Sequence, residues 1–172
     1  MVKKEQRVGR IGGARRARFL LPFLLLLLVA SASATTVLIR TNSRAAGFND
    51  AAYYAYHAGE KGLAEALYER ALAENPSYER ARYNLATLLF EEGRFDEAIS
   101  HLELLVAAHP AKPEYHYDLA VNLIEKVRRM GGGLSLFDRA IAEYEEAERL
   151  SPGFARAREN LPVLYRIRAS LT

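Results

Sequence analysis

The sequence contains no cysteine. That excludes disulfides and thiolate-held metals, and leaves oxidising and reducing compartments equally open. No phosphate cradle is present either, because Gly131, Gly132 and Gly133 are not followed by Lys-Ser or Lys-Thr. His57, His101, His109 and His116 form no i, i+4 pair and no His-rich grouping, so the usual metal-ligand spacings are missing. No stretch alternates as a strand does. The neighbouring acids Glu91-Glu92 and Glu145-Glu146 would point about 100° apart on a helix, which suits a solvated face and not an acid–base pair. Taken together, these absences predict a chain with no catalytic residues, no cofactor and no metal site, and hence not an enzyme.

Charge is missing from one stretch altogether. Phe19–Ile39 is a run of 21 uncharged residues that includes Leu24–Leu28, and as a helix it would cover roughly 31 Å, close to the ~30 Å hydrocarbon core of a bilayer. Pro22 lies near its start, where proline disturbs a helix least. Residues 1–18 precede it as a basic tail. Residues 1–39 hold seven Lys/Arg and one Glu, net +6, whereas 40–172 hold seventeen against twenty acids, net −3. The basic balance belongs to the tail, so the rest of the chain makes no case for nucleic acid. Excess positive charge before the span places the N-terminus in the cytoplasm and the residues beyond the span on the periplasmic or extracellular side. Two fates stay open. Val37, Leu38 and Ile39 extend the run into an uncleaved anchor, while Ala32 and Ala34 form an Ala-x-Ala pattern after which a secretory signal would be cut, giving a secreted protein. Residues 40–48 read as a polar linker, with Asn49 or Asp50 placed to cap the next helix.

The remainder, 49–168, is periodic. Pro76 and Pro110 stand 34 residues apart, each closing an apolar helix tail. A fixed period of this length marks a helical repeat. Within it, Leu85, Leu88 and Leu89 share one face of a first helix, Gly93 makes a turn, and Ala98, Ile99, Leu102 and Leu105 form the stripe of a second. Tyr83, Leu85, Ala86, Gly93, Phe95, Ala98, Ile99 and Pro110 together resemble a tetratricopeptide repeat. The resemblance implies an all-α solenoid of about three helical hairpins with a capping helix, behind one N-terminal transmembrane helix.

The other repeats show departures. In the first, over 45–78, Ala64, Tyr68 and Ala71 match the family's second helix, but Ala51, Ala52 and Ala55 replace larger core residues. Lys61 stands where an aromatic is usual, a gap that Leu63 is expected to fill. The third, from about Pro113 to Phe154, repeats Tyr-x-Leu-Ala as Tyr117, Leu119 and Ala120 and continues through Phe137, Ala140, Ile141, Tyr144, Ala147 and Pro152. About eight extra residues within it lengthen the first helix to about Met130, before a turn at Gly131–Gly133. Beside Arg128 and Arg129, this insertion reads either as a spacer or as a contact site. Asn160 and Leu161 repeat Asn84 and Leu85 in a capping helix, wetted on its outside by Arg156, Arg158, Arg166 and Arg168. Pro162 predicts a kink or a restart there.

In the family the first helices line a concave groove that holds a peptide or helix of a partner. The resemblance places Asn49, Tyr53, Tyr56 and His57 in that groove, then Arg80, Tyr83, Thr87, Phe90 and Glu91, then Tyr117, Val121, Ile124 and Glu125. Some members clamp a chaperone's C-terminal carboxylate with basic residues. Asn84 suits that role, but Glu114 and Asp118 occupy the basic positions of the third repeat and would repel the ligand. The implied function is a membrane-anchored protein-interaction module that scaffolds or assembles an envelope complex around a protein or peptide partner. A soluble exported adaptor, a homo-oligomeric structural repeat protein and an accessory that positions an enzyme are the alternatives.

Overall fold

A computed structural model describes residues 12–131, 133–154 and 157–170, with side chains from residue 35 onward. Its described residues form seven helices and no strand: α1 (Gly12–His57), α2 (Lys61–Glu74), α3 (Glu79–Glu91), α4 (Phe95–Ala108), α5 (Pro113–Met130), α6 (Gly133–Leu150) and α7 (Ala157–Ser170). The chain divides into two units, Met1–Ser43 and Arg44–Thr172. In the first, Val37, Leu38 and Ile39 are 58–63% exposed. The expected span over 19–39 lies, apart from its last five residues, outside the described side chains. Among the described residues no helix is long and apolar enough to cross a membrane.

The second unit is a row of hairpins, in which α3 packs on α4, α4 on α5, α5 on α6 and α6 on α7. The turns inside the hairpins repeat because their backbone bonding repeats. Gly93 takes φ 76°, its N–H bonds to the Phe90 carbonyl, and the Arg94 N–H reaches back to Leu89. This double bond closes a helix on a left-handed residue. Gly59, Tyr56, Glu60 and Ala55 form the same arrangement one repeat earlier. The turns between hairpins also match: His109 N–H to Leu105 and Lys112 N–H to His109 correspond to Asn75 to Ala71 and Tyr78 to Asn75.

Packing follows the stripe read from the sequence. Leu85, Leu88, Leu89, Ala98, Leu102 and Leu105 are all buried, and removing each such leucine from water stabilises by about 1.5–3 kcal/mol. Ala98 is fully enclosed, so two helix backbones approach closely across it. The first repeat solves its shortage of bulk differently from the sequence expectation. Leu63 is 50% exposed, while Tyr68 on α2 fills the space beside Ala52 and Ala55 at 2% exposure. Lys61 turns outward to pair with Glu91 at 2.9 Å.

Three further boundaries differ from expectation. Residues 40–48 are helical, and Asn49 and Asp50 lie inside α1 instead of capping a new helix. That stretch has no proline, and Ala45, Asn49 and Ala52 fall on one buried face, so packing carries the helix through. In the third repeat the extra length is shared. α5 does end at Met130, with Gly131 at φ 76°, but α6 as well as α5 has 18 residues, against 13 in α3 and 14 in α4. Finally, of the kink or restart expected at Pro162, the restart does not occur: α7 runs through it as one helix from Ala157 to Ser170. Its Ala157, Leu161 and Leu164 are buried against α6 residues, which offsets the lost backbone bond.

Candidate partner-binding groove

Residue positions on neighbouring first helices meet at a separation of 35, one more than the repeat. Asn84 Nδ2 donates to Asn49 Oδ1 at 3.0 Å, Tyr83 Oη donates to Asp118 Oδ2 at 2.8 Å, and Tyr56 Oη donates to Glu91. These bonds stitch the end of α1 to α3, and α3 to α5, along one face. Two clefts open beside them and share Tyr83 and Thr87.

The first cleft, about 230 Å³, is lined by Tyr53, Tyr56, Tyr68, Tyr83, Asn84 and Thr87. Four phenols give it an apolar wall with hydrogen-bonding edges, a surface suited to contacts that are partly wet. Tyr53 is half-exposed and its ring lies 4.2 Å from that of His57, centroid to centroid. The nearby acid is compensated: Tyr56 and Lys61 both bond to Glu91, holding its carboxyl below the usual range. The same bond pushes the Tyr56 phenol up to about 12.

The second cleft, about 130 Å³, lies between α3 and α5 over α4. Tyr83, Thr87, Phe90 and Val121 line it as the sequence suggested, joined by Ala86, Leu102, Asp118 and Asn122. Burial raises the Asp118 carboxyl above its ordinary value, and Glu114 adds to the rise, while the Tyr83 bond opposes it. Burial also raises the Tyr83 phenol, with the Asp118 charge next. Asn122 is 4% exposed; its Nδ2 donates to the Asp118 carbonyl at 2.8 Å, and its Oδ1 is a buried acceptor with no partner among the described residues.

Seven sequence-predicted positions line neither cleft: His57 and Glu91, described above, and five more. Asn49 is buried beneath the groove in its bond to Asn84. Arg80 is exposed and lines neither cleft. Tyr117 packs edge-on against Tyr144 and Phe154, at 5.4 and 5.9 Å. Ile124 is partly buried between two core clusters. Glu125 is taken up by Arg128 and Arg129 on its own helix. Asn122 had no family position to flag it. The one available signal was a polar residue amid the apolar face of α5.

The tetratricopeptide repeat family profile matches residues 46–124. Comparison with curated proteins gave no match. Among solved structures, the first TPR of Spaghetti (RPAP3), bound to the HSP90 peptide SRMEEVD, superposes with TM-score 0.64 at 18% identity, over 74% of this chain and 95% of that one. MamA 41-end from Desulfovibrio magneticus RS-1 gives 0.62 at 18% identity, over 73% and 66% of the respective chains. A thermophilic TPR protein of Thermus thermophilus gives 0.60 at 25% identity, over 72% and 65%. This chain thus spans about two thirds of the last two. The helical body has the fold of a TPR solenoid.

Proposed function

We propose that this chain, a TPR solenoid from the end of α1 onward, is a protein-interaction module that seats a partner peptide or helix along α1, α3 and α5. The observation that carries the reading is the pair of adjoining clefts with Tyr83 and Thr87 common to both. A continuous partly apolar trough with phenol and amide edges matches an extended segment better than a compact small molecule. The module works through surface shape and performs no catalytic step. Its second part is a location: the uncharged run 19–39 anchors it in a membrane with the repeats on the periplasmic or extracellular side, where it scaffolds an envelope complex. The exposed Val37, Leu38 and Ile39 support an apolar surrounding at the end of that run. Signal cleavage after Ala34 would instead release the module as an exported adaptor.

Crosslinking in native membranes followed by affinity purification tests this, with Tyr83→Ala/Phe90→Ala as the comparison. A partner captured by the wild type and lost in the double variant supports the groove. Equal recovery from both would place the interface elsewhere. A second reading, self-association, draws on Val163, Tyr165 and Ile167 of α7, which are 42–52% exposed. Light scattering over a dilution series decides it, since a self-associating chain loses mass on dilution and an adaptor does not.

A further inference from the structure

We infer that the cleft between α3 and α5 receives a Lys or Arg side chain of the partner segment. This rests on the groove being the partner's seat, and it specifies the chemistry of that partner.

Three other acids of α3 and α5 are already compensated. Glu91 has Lys61, Glu125 has Arg128 and Arg129, and Glu79 has Lys112. Asp118 differs. Among the described residues its carboxylate has no ion-pair partner, only the neutral Tyr83 hydroxyl on Oδ2. One turn on, Asn122 presents an acceptor that no described group satisfies. Buried acceptors without donors are unfavourable and uncommon. Asp118, a carboxylate without an ion-pair partner among the described residues, and Asn122, with an unsatisfied buried acceptor behind it, line one cleft and form a site that lacks a donor-rich cation.

The walls define the rest of the ligand. Ala86, Phe90, Leu102 and Val121 are apolar, and about 130 Å³ suits one side chain and not a cofactor. An apolar stem ending in a cationic donor is the description of lysine and arginine. Lysine and arginine both bring a charged donor to the free Asp118 oxygen. A carboxylate-ended ligand is disfavoured by Asp118 and by Glu114 on the same helix. The partner segment therefore presents a cation at this position, opposite in charge to the EEVD end of the peptide held by the first TPR of Spaghetti.

The test retains a randomised decapeptide library, fixed at its central position as Arg, Lys, Gln or Glu, on the immobilised full chain. Arg and Lys peptides should be enriched about tenfold over Gln, and Glu peptides excluded. In Asp118→Asn that preference should collapse to about twofold or less, with a melting temperature equal to or above the wild type. Preference for Glu or Gln, or an Arg preference that survives Asp118→Asn, overturns the inference. If all four classes bind alike but are lost in Tyr83→Ala/Phe90→Ala, the groove stands and the cation pocket falls. Retention untouched by the double variant, or no retention at all, removes both.

Discussion

The two clefts are built by the same backbone operation and differ in what terminates their bonds. At the first, an amide meets an amide, Asn84 to Asn49, and the neighbouring Glu91 is neutralised by Lys61 and Tyr56. At the second, a phenol meets a carboxylate, and the adjacent amide keeps an acceptor that no described residue satisfies. The helices are set alike in both places. A solenoid thus fixes where groups stand while single residues decide whether a site is satisfied or expectant, and only the second kind has free energy to release on binding.

The largest change would abolish the comparison by removing the frame. Ala98→Glu puts a charge into a fully enclosed position and should cost at least about 3 kcal/mol, read as loss of cooperative thermal unfolding. A wild-type melt would contradict the packing. Next, Asn84→Leu would give the first cleft the defect of the second, leaving Asn49 Oδ1 buried without its donor. The expected cost is about 1–3 kcal/mol, measured by urea unfolding, with partner capture reduced less than by Tyr83→Ala/Phe90→Ala. Conversely, Asp118→Asn brings the second cleft towards the first. It keeps the Tyr83 bond and removes an uncompensated charge, so a gain of about 1 kcal/mol is expected at neutral pH.

The smallest effect is in pH dependence, where two acids have opposite signs. Asp118 has a raised folded value, so its contribution is present below its ordinary 3.8 and is lost as pH rises through the folded value. The Asp118→Asn gain should therefore vanish on acidification to about pH 3. Glu79 is held low by bonds from Lys112 and Tyr115. Its contribution is present above its ordinary 4.5 and is lost as pH falls through the folded value. Glu79→Gln should cost stability at neutral pH and converge on the wild type in acid. Melting curves at the two pH values check both, and equal differences at each would contradict the assigned environments.

The register of the hairpins was legible because it is written in residues whose burial is obligatory, Leu85, Leu88, Ala98 and Leu102, and in the turn at Gly93. The helix boundary ahead of the first repeat was not. Asn49 and Asp50 are good cap residues by type, but cap or helix interior is decided by whether Ala45 and Ala52 are packed, which is a tertiary fact. Leu63 misled for a similar reason, since hydrophobicity alone does not say which large residue on α2 faces inward. In the groove, the family positions include the cleft-lining Tyr53, Tyr56, Tyr83, Thr87, Phe90 and Val121. They also offered Asn49 and Tyr117, which packing takes out of the clefts. Asp118 was recognised as an acid in a basic position, but its partner was not, because nothing local links residues 83 and 118. The 35-residue offset does, and Asn49 with Asn84 shows the same interval.

That offset has a bearing on how such a chain can be lengthened or cut. The unit carrying Tyr83, Asn84 and Glu91 holds one half of each of three cross-links, with Asn49 and Tyr56 behind it and Asp118 ahead. Were that unit copied in tandem, the first copy would keep Asn49 and Tyr56 and the second would keep Asp118. The new joint would set the first Tyr83 beside the second Asn84, a phenol beside an amide, and so add a fourth link. Were it excised, all three links would vanish, and Asn49 would stand opposite Asp118 and Tyr56 opposite Glu125. Insertion and deletion are thus unequal operations on this molecule: growth retains all three stitches, whereas shortening must dissolve three to form at most two.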